Sequence, residues 1–241
     1  QMYYMNPPAK DLSKIASSDK VKKVQKDFEA THVRPQRLMK TLFTDEAYVK
    51  ANVDEARLMR RLFDLACNMQ SHDTDMQLYS LFTDEECYDL WSCNNLYWYL
   101  THACSPVTDG LMPYREADLL RNILDRADAA LKEGKNQATL RFGHESCLLP
   151  LVALLELNHY GESYPDVEKL SEQWRAYDIF PMASNVQFVF FHKKGSNDVL
   201  VKVLLNEKEA KLPVKTDVAP YYHWKDVESY YREKLDKYQH I

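Results

Sequence analysis

Residues 140–161 read LRFGHESCLLPLVALLELNHYG. Three textures follow one another in these 22 positions. Residues 138–142, the middle of QATLRFG, have the make-up of a short buried strand. Gly143-His144-Glu145-Ser146 is a polar joint. From Cys147 on, a Leu-rich run too long for a strand predicts a buried helix. The joint therefore lies where a strand ends and a helix begins. A helix N-terminus carries partial positive charge and free N–H groups, and it attracts anions. In open α/β sheets, ligands bind beyond the carboxyl ends of the strands. Gly143 allows a close backbone approach. His144 can donate a hydrogen bond to a phosphate oxygen, and Glu145 can hold a proton for a leaving oxygen. The residues thus describe a phosphate site with a general acid. The alternative is an ordinary helix entry, with Glu145 favoured by the dipole and His144 in solvent.

Upstream of this joint the text is helical. SSDKVKKVQKDFEATH and DEAYVKANVDEARLMRRLFDLACNMQ space their apolar residues for helices. In the second, Val49, Val53, Ala56, Met59, Leu62, Phe63 and Ala66 fall on one face. TDEECYDLWSCNNLYWYLTHA opens on a capping box, Thr83 with Glu86. READLLRNILDRADAALKEG is closed by Gly134. The aromatic residues Tyr88, Trp91, Tyr97, Trp98 and Tyr99 are expected to pack a core, some of them lining a cleft. Downstream, NVQFVFFHKK and DVLVKVLLNE are β-rich and are separated by Gly195-Ser196-Asn197, a hairpin signal. DVESYYREKLDKY closes the sequence as a helix. The expected organisation is an all-helical region over 1–114, followed by a mixed α/β region over 115–241.

The chain has 241 residues, 45% of them hydrophobic and 28% charged, which suits a folded core and argues against disorder. A net charge of −5 with no long Lys/Arg run argues against nucleic-acid binding. The longest apolar run, Cys147–Leu157, contains Pro150 and is too short to span a bilayer. The start shows no signal-peptide pattern and no initiator Met, so a processed or truncated product is expected. The five cysteines form no C-x-x-C pair and lack zinc-site spacing. They read as buried thiols, with one disulfide open among Cys67, Cys87, Cys93 and Cys104.

The stretch LRFGHESCLLPLVALL resembles the second signature of the histidine acid phosphatases, in the branch that includes phytases and multiple inositol polyphosphate phosphatases. SLFTDEECYDL resembles that family's helical-domain segment. FPMASNVQFVFF and VKVLLNEKEAKLP resemble its two late strands and N-E turn, and YYHWKDV its tail. The resemblance implies part of an α/β sandwich with a helical cap preceding the last strands. It implies phosphomonoester hydrolysis through a phosphohistidine, with inositol phosphates as plausible substrates and no metal or cofactor. His144 would bond the phosphoryl group, Glu145 would protonate the leaving alcohol, and Gly143 and Ser146 would flank bound substrate.

Two departures are visible. Family members carry His-Asp or His-Ala-Glu where this chain has His144-Glu145-Ser146. The first signature, R-H-G-x-R-x-P, which supplies the nucleophile and phosphate arginines, is missing. THVRPQRLM offers His32, Arg34 and Pro35 in a helical context, without the flanking Arg and Gly. The remaining histidines, His72, His102, His159, His192, His223 and His240, read as surface or satisfied core residues. The expectation is therefore a C-terminal portion whose N-terminal segment is cleaved, absent or a separate chain. No membrane or nucleic-acid partner is expected, and by family analogy the location is periplasmic or secreted. A binding module holding a phosphorylated ligand without turnover is the alternative function. A plain helical interaction domain is the third.

Overall fold

The computed structural model describes residues 10–135 and 137–238, and the chain divides into two compact units. One comprises residues 22–97; the other joins the residues before 22 to those from 98 onward. The helices are α1 (Lys10–Ala16), α2 (Asp19–His32), α3 (Gln36–Leu42), α4 (Glu46–Asn52), α5 (Glu55–Asn68), α6 (Asp84–His102), α7 (Ala117–Glu133), α8 (Glu145–Leu154), α9 (Leu170–Gln173), α10 (Ala176–Ile179) and α11 (Trp224–Tyr238). The strands are β1 (Val186–His192), β2 (Val199–Leu205), β3 (Lys208–Glu209) and β4 (Tyr222–His223).

The 22–97 unit is helical, around Leu38, Met39, Val49, Met59, Ala66 and Leu90. The apolar face expected over 49–66 is interrupted. Val53 is extended, and Asp54 caps a new helix by accepting a 3.1 Å bond from the Arg57 N–H. An Asp cap outweighs the continuous apolar spacing, because it satisfies a helix-end donor locally. The capping box forms as expected: Thr83 Oγ1 accepts from the Glu86 N–H at 3.2 Å, and Glu86 Oε2 accepts from the Thr83 N–H at 3.0 Å. Tyr88 and Tyr97 point outward rather than into a core, whereas Tyr99, in the other unit, is fully buried against Trp174 at 5.2 Å.

The other unit contains the sheet. β1 and β2 form an antiparallel hairpin from Val186↔Leu205 to His192↔Val199, turning at residues 193–198, where Gly195 has φ +82°. In β2, Val201, Val203 and Leu205 are buried while the residues between them are half-buried, the alternation of a strand with one face on a core. Asn206 and Glu207, both with positive φ, link β2 to β3 in the tight two-residue turn that the N-E pair suggested. α11 buries Trp224, Val227, Tyr231 and Leu235 and packs against β2 and α7. α7 ends at Gly134 in the left-handed conformation, as its position in the sequence implied.

One expected strand does not form. Residues 137–144 make no ladder, and every one of them is exposed. Leu140 is 76% and Phe142 81% exposed. The composition was right for a strand buried on both faces, but such a strand needs hydrogen-bonded neighbours that only a distant segment can bring. Among the described residues no strand pairs with this stretch. The disulfide is also absent: all five cysteines are free thiols, none fully exposed. Burial pushes Cys93 up to about 12 and Cys104 to about 11, so these thiols stay protonated. No described helix is long and apolar enough to cross a membrane.

Candidate functional site

α8 is apolar on all sides. Leu149, Pro150, Leu151, Val152, Ala153 and Leu154 are buried in succession. Burying the Leu and Val side chains contributes roughly 1.5–3 kcal/mol each, which more than offsets the ~3 kcal/mol cost of Pro150 inside the helix. The helix is thus fixed by its body, and its first turn is free to serve another purpose.

That first turn holds the residues singled out from the sequence. His144 is the N-cap, extended at φ −108° and ψ 165°, and its imidazole caps no backbone N–H. Its carbonyl accepts from the amides of Cys147 at 3.0 Å and Leu148 at 3.1 Å. Gly143, His144 and Glu145 are exposed, while Ser146 is half-buried. An imidazole and a carboxyl therefore reach solvent together at a helix end whose unsatisfied amides favour an anion. Arg141 instead donates to Asn122 Oδ1 on α7 at 2.8 Å.

Behind this turn lies a residue that sequence reasoning missed. Glu116, 4% exposed, ends the 3₁₀ turn Met112–Glu116 that packs against α8. Its Oε2 is buried and has no hydrogen-bond partner among the described residues. Burial raises this carboxyl to about 7, against the opposing pull of Arg115. In sequence Glu116 looks like any acidic residue entering a helix, and nothing local announces its burial.

The opposite end of α8 is closed. Lys234 Nζ donates to the Leu154 carbonyl at 2.7 Å and pairs with Glu156 at 2.9 Å, and Tyr231 Oη donates to the Leu155 carbonyl at 2.7 Å. Glu156 has φ +52°, and a Cβ on Gly161 would meet its Cγ at 2.5 Å, so only glycine fits there. A cavity of about 550 Å³ at this end is lined by Cys104, Tyr114, Glu156 and Lys234, away from His144.

The other histidines have local roles. His32 ends α2, donates from Nδ1 to the Phe28 carbonyl at 2.9 Å and stacks on Phe28. His102 is buried beside Thr101, and desolvation lowers it to about 4. His72 lies within 3.1 Å of the Asn68 amide, and His159 packs on Tyr160. His192 donates to the Ser196 carbonyl at 2.7 Å. His223 is held between Asp198 at 3.0 Å and Asp217 at 2.9 Å. His240 lies outside the described residues.

A family model for the histidine phosphatase superfamily, branch 2, matches residues 2–206. The chain belongs to that superfamily. Multiple inositol polyphosphate phosphatase 1 of Homo sapiens is 28% identical over 134 residues, covering 50% of this chain and 27% of that protein. The fold is that of solved histidine phosphatases. The multiple inositol polyphosphate phosphatase of Bifidobacterium longum in complex with phosphate superposes with a TM-score of 0.64 at 19% identity, over 98% of this chain and 56% of that one. In complex with inositol hexasulfate, the same protein superposes with a TM-score of 0.58 at 19% identity, over 90% and 53%. The chain thus spans about a quarter of the human relative and about half of the bacterial one.

Proposed function

We propose that this chain supplies the leaving-group side of a phosphomonoester hydrolase acting on inositol phosphates. The observation that carries this reading is the exposed His144–Glu145 pair at the N-terminus of a buried helix, in a chain of the histidine phosphatase superfamily. The phosphoryl group sits against the amides of the first turn. His144 donates to a phosphoryl oxygen as charge develops in the transition state. Glu145 gives its proton to the departing alcohol oxygen. The attacking group is a histidine in a segment of R-H-G-x-R-x-P type, which forms a phosphohistidine that water then cleaves. That segment does not occur among the 241 residues. It belongs to the part of the fold that extends beyond them, and it covers the exposed Leu140 and Phe142 by pairing with residues 137–144. The kinship with inositol polyphosphate phosphatases supports the substrate class.

The test is His144→Ala in the full-length protein. With inositol hexakisphosphate as substrate, kcat is expected to fall about 10²–10³-fold, the usual loss for one transition-state hydrogen bond, with a smaller change in KM. An unchanged kcat with weaker binding would assign His144 to ground-state binding only. The second reading is a module that holds a phosphorylated ligand at the same exposed helix end without turnover. It predicts phosphate binding that His144→Ala weakens, with no hydrolysis by the full-length protein.

A further inference from the structure

His223 has a carboxylate on each ring nitrogen. Nδ1 lies 3.1 and 3.0 Å from the two oxygens of Asp198, and Nε2 lies 2.9 Å from Asp217 Oδ1. An ionised carboxylate only accepts hydrogen bonds, and a neutral imidazole has a single N–H. Both contacts are therefore hydrogen bonds only when the ring carries two protons. In a neutral ring, one nitrogen would turn its lone pair on a carboxylate oxygen. The three residues come from separate parts of the same unit. His223 lies in β4, which pairs with β2 through Leu200↔His223. Asp198 ends the turn between β1 and β2, and Asp217 lies in the loop between β3 and β4. That loop is fixed at its start, where the Lys211 N–H donates to Asn158 Oδ1 at 2.9 Å and the Leu212 N–H to Tyr222 Oη at 3.0 Å. Further on, Thr216 Oγ1 donates to the Tyr221 carbonyl at 2.7 Å and closes the loop on itself. The Asp217–His223 contact ties this closed part to the sheet.

We propose that His223 is a proton-operated latch on the 213–221 loop: as an imidazolium it bridges Asp198 and Asp217, and as a neutral ring it keeps Asp198 and lets Asp217 and the loop go. The inference is independent of the functional reading given above. The two halves of the bridge are unequal. Asp198 meets the ring with both oxygens, adjoins β2, and has a side chain 51% exposed. Asp217 uses one oxygen, sits in mid-loop, and is 84% exposed. The single N–H of the neutral ring therefore stays on Nδ1, since the stronger partner selects the tautomer. The charged groups that face the ring are these two carboxylates. Opposite it on β2 stands the apolar Leu200, while Lys202 of that strand lies over the Tyr221 ring and pairs with Glu209 at 3.2 Å. Lys225 and Asp226 of α11, and Lys193 and Lys194 of the hairpin turn, stand in solvent. The bonds to Asp198 and then Asp217 raise the imidazole above its ordinary 6.5. The double hold is thus complete below that ordinary value and is lost as pH rises through the raised one. Asp217 sets the acid limit. Its bond from His223 lowers the carboxyl below its ordinary 3.8, so its contribution is present above 3.8 and is lost as pH falls through the lowered value. The latch is closed between the carboxylate and histidine ranges and opens above the latter.

The experiment uses the full-length protein and its Asp217→Asn and Asp217→Ala variants. Amide hydrogen exchange at Val218 and Tyr221, corrected for intrinsic chemistry and referred to Val203 in β2, reads the opening of the loop. In the wild type, opening is expected to increase about two- to fivefold as pH rises from about 5 through the histidine range, the usual worth of an exposed ion pair. In Asp217→Ala it is expected to be high at every pH. In Asp217→Asn it is expected to be low and flat, because an amide both donates and accepts and so pairs with either form of the ring. A wild-type profile that matches Asp217→Ala at every pH would overturn the inference, as would a pH-dependent rise that survives in Asp217→Asn. Should a variant fail to fold, the wild type still decides the matter. Its His223 ring nitrogens, followed by nitrogen NMR, are expected to be doubly protonated at about pH 5 and to pass to a neutral ring with the proton on Nδ1, in step with loop opening. A ring already neutral at that pH, or a neutral ring with its proton on Nε2, would refute the proposal.

Discussion

The two ends of α8 are opposites. At its C-terminus, Lys234, Tyr231 and Glu156 take up the helix-end carbonyls and the charge, and Gly161 closes the turn against them. At its N-terminus, the amides have no side-chain cap, and an imidazole and a carboxyl stand in solvent. A helix that merely filled a core would gain by capping both ends, since a good N-cap contributes about 1 kcal/mol. His144 forgoes that gain. One end is tied down by side chains and the other is open, and the proposed reading assigns the open end to the anion.

The comparison breaks most visibly if the free end is altered. In the full-length protein, Glu145→Gln is expected to slow hydrolysis of inositol phosphates by about 10²–10⁴-fold, because an alkoxide leaves poorly without a proton. Aryl phosphates, whose leaving groups are already good, are expected to lose much less. Equal losses on both substrates would remove Glu145 from the role of acid. At the locked end, Lys234→Met is expected to cost about 1.5–3 kcal/mol in urea unfolding, leaving the Leu154 carbonyl and Glu156 without their charged partner. The His144-dependent kcat is expected to be unchanged within twofold. A variant equally stable but catalytically impaired would show that the two ends are not separable.

The smallest effect concerns the anchoring of α11, whose start follows His223. Hydrogen bonds that the His223 ring donates to Asp198 and then to Asp217 raise the imidazole above its ordinary value. A raised folded-state value means that this tie is fully present below the ordinary histidine range and is lost as pH rises through the elevated one. An NMR titration of His223 is expected to show the elevation in the wild type and a partial return in Asp198→Asn. No change in Asp198→Asn would separate the tie from that carboxylate.

What could be read from the sequence, and what could not, divides along the range of the interactions concerned. The β1–β2 hairpin was legible because each strand carries its partner a few residues away, across Gly195. The capping box at Thr83, the Gly134 stop and the tight turn at Asn206 were legible for the same reason. The strand expected at 138–142 has equally suitable residues, yet its partners are not local, and the segment stands exposed. The break at Val53–Asp54 was missed because apolar spacing was weighed above the Asp cap. His144 and Glu145 could be singled out because the polar joint and the helix that follows it are contiguous in the sequence. Glu116 and Lys234 could not, since Glu116 is buried where its 3₁₀ turn packs against α8 and 80 positions separate Lys234 from Leu154.

The central claim is that the free end of α8 is half of a phosphoryl-transfer site whose nucleophile lies outside these residues. The most direct measurement compares residues 1–241 alone, and the same chain supplied with the R-H-G-x-R-x-P-bearing segment, on an aryl phosphate and on inositol hexakisphosphate from acidic to neutral pH. In-line transfer needs both a nucleophile and a phosphate clamp. The account predicts no turnover by the lone chain, and turnover on complementation that His144→Ala removes. Turnover by the lone chain that His32→Ala abolishes would contradict it, because the nucleophile would then be a residue at the end of α2.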